Sequence, residues 1–307
     1  MTLFQDAQQL SLYAGLFLLV FGIIGNGINI LVFTKVRIYR INPCTFYFLM
    51  GSIDNLFYIC LNLPIRILIV SFQIDVIGSS DIWCKIRNFL LTAPSLISIT
   101  FSCLATIDQF FVTSKSAFLR NCSQIKWAHR ISILVIIFWC VYCIHIFFVV
   151  RIVPIRIVPS TKVCTSDNPS YLVYSAVYLL AIICGIPVGI MTLFGILTYR
   201  NIRQTIRPAE LHYDRQLIRM TLIHVALVAV SLIPYGINNA YSLVTAGTVK
   251  NLNQQMIEYL VSTITTLGTY LYYVGSCYTF LLTSNRFRQR VKKEIIYWHR
   301  KNTIGPA

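Results

Sequence analysis

Seven stretches of this chain, at 11–34, 43–71, 83–113, 127–150, 171–199, 215–244 and 255–282, are each long and apolar enough to cross a lipid bilayer. No other feature limits the fold so strongly. A hydrocarbon layer roughly 30 Å thick is spanned by about 20 helical residues. Backbone amides in lipid must be satisfied within their own segment or in a closed barrel, and these runs are too long and uniformly apolar for barrel strands. The expectation is an all-α integral membrane protein, a seven-transmembrane helix bundle over residues 11–284. Residues 1–10 read as a short extracellular N-terminus, and 285–307 as a short amphipathic eighth helix with a cytoplasmic tail.

Charged residues make up 12% of the chain, against about 25% in an ordinary soluble domain. The formal net charge of +16 raises the question of nucleic acid. Its Lys and Arg, however, fall in short gaps between apolar runs, as cytoplasmic loops require, so nucleic acid is not an expected partner. Lys35, Arg37 and Arg40 fill one such gap, and Lys115, Arg120, Lys126 and Arg130 another. Arg200, Arg203, Arg207, Arg215 and Arg219 surround a third, and the tail is basic throughout. The alternate gaps hold Asp75, Asp81, Asp167 and Glu258. The chain should therefore lie in the cell membrane with its N-terminus outside and its tail in the cytoplasm. The first run is too long, and too poor in preceding bases, for a cleaved signal peptide. Asn121-Cys-Ser falls on the cytoplasmic side and should stay unglycosylated, and Asn168-Pro-Ser is excluded by its proline. Of ten cysteines, six (60, 103, 140, 143, 184 and 277) lie inside apolar runs, where a thiol packs as a small hydrophobe. Cys84 and Cys164 fall in segments placed outside.

One marker per run then points to a family. Gly25-Asn26 stands in the first, Asp54 followed by Pro64 in the second, and Cys84 followed by Asp108 in the third. Trp139, Pro187 and Pro234 mark the next three, and Ser284-x-x-Phe287-Arg288 follows the seventh. In this order, over nearly the whole chain, they resemble the rhodopsin-like G-protein-coupled receptors. The resemblance implies a Cys84–Cys164 disulfide on the oxidising side, where such a bond persists. It also implies an intramembrane pocket of Asp54, Ser98 and Ser276 that holds sodium or water. An intramembrane carboxylate faces the bundle interior with a partner, so the alternative is a hydrogen-bonded structural carboxyl.

The departures lie in the switch. Asp-Arg-Tyr of the family is here Asp108-Gln109-Phe110, and the helix-six tryptophan is Leu232. Asn-Pro-x-x-Tyr is Ser276-Cys277-Tyr278-Thr279-Phe280, and the helix-five tyrosine is Gly195, with Tyr199 one turn on. The resemblance places Asp214 opposite Gln109. There it either accepts from the amide, a weaker clamp than a charge-assisted bond, or pairs with nearby arginines in solvent. Asp108, Gln109, Asp214 and Phe280 are the expected switch and G-protein contacts.

A ligand is expected between the outer halves of the helices. By family position, Leu91 stands where amine receptors place an aspartate and Tyr270 where opsins place the retinal lysine, so neither an amine nor retinal is expected. The pocket candidates are Arg66, Arg87, Asn88, Leu91, Ser95, Tyr235, Asn239, Glu258, Thr266 and Tyr270. The β-branched segment 152–158 meets Lys162-Val163-Cys164-Thr165 and reads as a hairpin. Peptide receptors of this family carry such a lid, so a peptide is the expected ligand and a heterotrimeric G protein the expected partner. Arg66 and Arg87 either meet a carboxylate on that ligand or snorkel to the outer headgroups. In the tail, Phe287, Val291, Ile295 and Trp298 recur at helical spacing, the pattern of a helix lying in the lipid interface. A transporter would show repeats and chains of ionisable residues, and an enzyme would need a paired acid and base. Neither pattern is present. A receptor fold that binds ligand without coupling is the remaining alternative, given Gln109.

Overall fold

A computed structural model describes residues 2–74, 80–154, 162–204, 211–245, 248 and 250–303. The long helices are α1 (Thr2–Lys35), α3 (Pro43–Phe72), α4 (Asp81–Thr113), α6 (Ile125–Cys143), α9 (Ile186–Gln204), α10 (Leu211–Val244) and α11 (Leu252–Thr283). Short helices α2 (Arg37–Arg40), α5 (Ala117–Cys122) and α7 (Ile146–Val149) connect them. Strands β1 (Arg151–Pro154) and β2 (Lys162–Thr165) precede α8 (Pro169–Tyr178), which runs through a π-helical stretch, Leu179–Gly185, into α9. The tail forms α12 (Asn285–Thr303).

Among the described residues, six helical segments are long and apolar enough to cross a membrane, the make-up of an all-α, multi-pass membrane protein. Their outer faces agree. On α6, Ile133, Leu134, Ile137, Phe138 and Val141 are exposed at one-face spacing. Its buried residues are Ala128, Ser132 and Cys143. In water that distribution would be inverted. The expected seventh run forms α11, a 32-residue helix. Its many Thr, Ser and Gln residues keep it below the apolarity of the other six.

Local signals start several helices. Asn42 and Asn168 each precede a proline at the first helical turn, and accept from Thr45 N–H (3.3 Å) and Ser170 N–H (3.0 Å). Asn251 does the same for Gln254 N–H at 2.8 Å. Such caps satisfy amides the helix itself leaves open. Residues 2–10, read from sequence as a short extracellular N-terminus, form the first turns of α1. They contain no Gly or Pro to stop a helix, Ala7 is buried, and Ser71 Oγ donates to Gln8 O at 3.0 Å.

Helix α1 packs against α3 and α11, α3 against α4, α4 against α6 and α9, and α10 against α11. Close approach at α1 depends on Gly22, where a Cβ would lie 2.9 Å from Ile59 Cδ1 and 3.1 Å from Val274 Cγ2. Pro94, inside α4, has no N–H to give Leu90 O. Asn62 Nδ2, from α3, donates to that carbonyl at 3.2 Å. Asn62→Leu leaves the carbonyl orphaned, which should cost about 1–3 kcal/mol. Thermal unfolding of the purified variant checks this, and an unchanged melting temperature would discount the bond.

Candidate ligand-binding site

The bundle opens at the end that carries the hairpin. One cavity of about 320 Å³ is lined by residues that include Tyr58, Arg66, Arg87, Ser95, Ile183, Leu232, Thr266, Tyr270 and Tyr273. A second, of about 250 Å³, runs beneath the hairpin past Asn88, His145, Cys164, Tyr171 and Tyr174. Leu91, Thr92, Tyr178, Leu179 and Tyr235 line both, so the two cavities adjoin across a shared set of side chains. Their size and mixed aromatic lining fit a small-ligand or peptide-end pocket.

Of the ten residues expected from sequence, Arg66, Arg87, Asn88, Leu91, Ser95, Tyr235, Thr266 and Tyr270 meet in this site. Asn239 does not line it and instead donates to Tyr235 O at 2.8 Å, one turn back. Glu258 also lies outside. Lys250 Nζ, at 2.7 Å, and the Tyr241 hydroxyl, at 2.9 Å, hold its carboxylate near the helix end. Sequence reading missed Tyr58, Tyr171, Tyr174, Tyr178 and Tyr273. Tyr171, Tyr174 and Tyr178 follow a one-face helical spacing that was there to be read. Tyr58 stacks on Tyr273 with ring centroids 4.2 Å apart.

The site has unsatisfied polar groups. Arg66 Nε and Arg87 Nε are buried without a hydrogen-bond partner among the described residues, as is the Tyr178 hydroxyl. Each arginine is half-buried as a whole, with its Nε sealed from solvent and unpaired, which makes the pair a candidate for a functional position.

The wall above is tied down. Cys84 and Cys164 form a disulfide with Cα atoms 5.7 Å apart, linking α4 to β2. β1 and β2 pair antiparallel, with Ile152 opposite Cys164. The connecting segment 155–161, part of the expected hairpin, lies outside the described residues. Asp81 accepts from Ile152 N–H at 3.2 Å and pairs with Lys85 at 2.8 Å, and Arg151 pairs with Asp167.

Below the cavity, a chain of buried side chains crosses the bundle. Ser98 Oγ donates to Asn55 Oδ1 at 2.5 Å and shares a 2.7 Å bond with the Tyr272 hydroxyl. Tyr272 reaches Ser102 Oγ at 2.9 Å, which in turn meets His224 Nε2 at 3.1 Å. Asn29 Nδ2 donates to Ser52 Oγ and Ser276 Oγ, both at 3.1 Å. Asn26 joins α1 to α11 by donating to Tyr273 O at 3.0 Å. Asp54 approaches the backbone of Ser98, but its Oδ2 is buried without a partner among the described residues. Asn55, one residue on, occupies the centre, and Ser98 and Ser276 are engaged by Asn55 and Asn29. No hydrogen bond from the Ser98 or Ser276 hydroxyl to the Asp54 carboxylate is present among the described residues. Among the described residues no cluster of His, Cys, Asp or Glu could hold a metal ion.

At the opposite end, Asp108 accepts from Ser123 Oγ at 2.6 Å. Gln109 is 1% exposed, and neither of its amide atoms has a hydrogen-bond partner among the described residues. Phe280 is fully buried within ring-contact distance of Phe33, Phe48, His224 and Phe287. The side chain of Asp214 lies outside the described residues, as do those of Ile295 and Trp298. No protein-family model matches this chain, and no curated protein sequence matches it either.

Proposed function

We propose that the chain is a rhodopsin-like G-protein-coupled receptor of the cell membrane. Its N-terminus lies outside and its tail in the cytoplasm. It takes an extracellular ligand, best matched by a peptide, into the hairpin-end cavity and acts on a heterotrimeric G protein. The observation that carries this reading is the paired cavity itself, which gathers eight of the expected side chains from α3, α4, α10 and α11 beneath a disulfide-tethered hairpin. Lysines and arginines concentrate at the other end of the bundle, which supports the orientation.

In this reading α11 is the seventh span. Its hydroxyls support that role because they bond back to their own helix. Thr263 donates to Tyr259 O, Thr266 to Ser262 O and Thr279 to Ser276 O, each at 2.7–2.9 Å. A polar helix satisfied in this way is tolerable beside lipid. Helix α12 is the eighth, lying at the inner interface with Phe287 and Val291 buried against the bundle. Lys35 pairs with Glu294 across that junction at 3.6 Å.

A second reading, a receptor fold that binds ligand without coupling, is favoured by Gln109, buried and unpartnered among the described residues where the family has its arginine. Basal nucleotide exchange on a panel of G proteins, in membranes holding the wild type or Gln109→Arg, separates the two. Under the receptor reading the wild type exchanges above empty membranes and responds further to peptide mixtures. Exchange confined to the arginine variant selects the second reading, and silence from both with every peptide sinks the first.

A further inference from the structure

The Arg66 and Arg87 end of the cavity is built around two guanidiniums that no described residue neutralises. Both line the same cavity, close enough to couple electrostatically. Neither makes an ion pair or hydrogen bond with a described residue, and each buries its Nε. Of the described carboxylates at the hairpin end, Asp81 pairs with Lys85, Asp167 with Arg151 and Glu258 with Lys250, and Asp6 is exposed on α1 and does not line the cavity. Snorkelling leaves the head of an arginine in water or among headgroups. Here both arginines line a cavity within the bundle while their Nε atoms are sealed from solvent, a different arrangement.

Around the two arginines stand Tyr58, Tyr235 and Tyr270, with Leu91, Leu179, Ile183 and Leu232 beyond. Guanidinium forks match a carboxylate in geometry and charge, tyrosine hydroxyls can donate to the same oxygens, and the remaining wall suits an apolar or aromatic body. We propose that Arg66 and Arg87 form the recognition site for a ligand carboxylate attached to an aromatic or aliphatic group. It is carried by either a small organic acid or the free C-terminus of a peptide. The inference rests on the cavity being the ligand site, and names the class of ligand that site takes.

Two probe pairs test it on the purified full chain in zwitterionic nanodiscs, read by ligand-dependent thermal stabilisation. The first pair is N-acetylphenylalanine and its amide, and the second is a Phe-Phe-Phe tripeptide with free acid or amide C-terminus. At least one acid is expected to bind about tenfold or more tightly than its amide, the range of a charge-assisted hydrogen bond. Stabilisation by the single-residue acid assigns a small organic acid, whereas a requirement for the tripeptide acid assigns a peptide C-terminus. Arg66→Gln and Arg87→Gln should each abolish the discrimination. Each should also raise the melting temperature of the ligand-free protein, because like charges no longer face one another. Equal binding of acid and amide in both pairs, or discrimination that survives in both variants, overturns the proposal. Binding is read without a G protein, so the carboxylate site and the signalling role fail independently.

Discussion

Cys164→Ser is expected to give the largest loss of stability of any single substitution in this chain. The disulfide it removes joins residues 80 positions apart. Closing a loop of that length contributes about 4–5 kcal/mol by chain entropy, a ceiling here because helices held in a bilayer are already restricted when unfolded. The variant should melt well below the wild type, and in denaturant it should show one more alkylatable thiol than the unreduced wild type, that of Cys84, which is buried in the folded protein. The loss should reach the cavity too, since Cys164, Thr165 and Ser166 line it. A variant with wild-type melting and unchanged probe binding would show that the hairpin sits in place without its tether.

Tyr272→Phe should follow in size. The ring is fully buried, and its hydroxyl is the one group that joins Ser98 to Ser102, and through Ser102 to His224 on α10, among the described residues. Phenylalanine keeps the shape and removes two hydrogen bonds at once, leaving two serine hydroxyls with one partner fewer. A cost of about 1–3 kcal/mol is expected, nearer the low end if Ser98 and Ser102 re-pair, as polar groups in membrane interiors often do. Because the network ties α4, α10 and α11 together, its loss should also loosen α10. Hydrogen exchange along Leu211–Val244 would detect this. Equal melting and equal exchange would mean that the hydroxyl is replaceable by neighbours.

The helices were legible in the sequence because hydropathy is a one-dimensional signal and lipid makes it nearly sufficient. Where polarity was spread thinly, as along α11, the signal weakened, although the hydroxyls that caused it are satisfied inside the helix. The site was legible where polar residues fell in the outer halves of the apolar runs, which gathered Arg66, Arg87 and Tyr270. It failed at Asn239 and Glu258, whose partners are a carbonyl on the same helix and a lysine in the next turn of chain. The core was misjudged by one residue. Asp54 drew attention by its charge, yet successive residues on a helix point about 100° apart. The buried face of α3 runs through Ser52, Asn55, Ile59 and Asn62. The spacing of Ser52, Asn55 and Asn62 stands in the sequence itself, and the lone acid obscured it.

The π-helical stretch Leu179–Gly185 acts as a phase adjuster for everything that precedes it. It holds about one more residue than regular α-helix would need for the same advance. The face of α8 bearing Tyr171, Tyr174 and Tyr178 is therefore turned relative to α9 by roughly the angle of one residue, about 100°. The chain thus sets the orientation of its aromatic wall by residue count, independently of which residues fill the stretch. Any descendant that lost a single position between Leu179 and Gly185 would keep its helices and its hydropathy, and would present a different set of side chains to whatever enters.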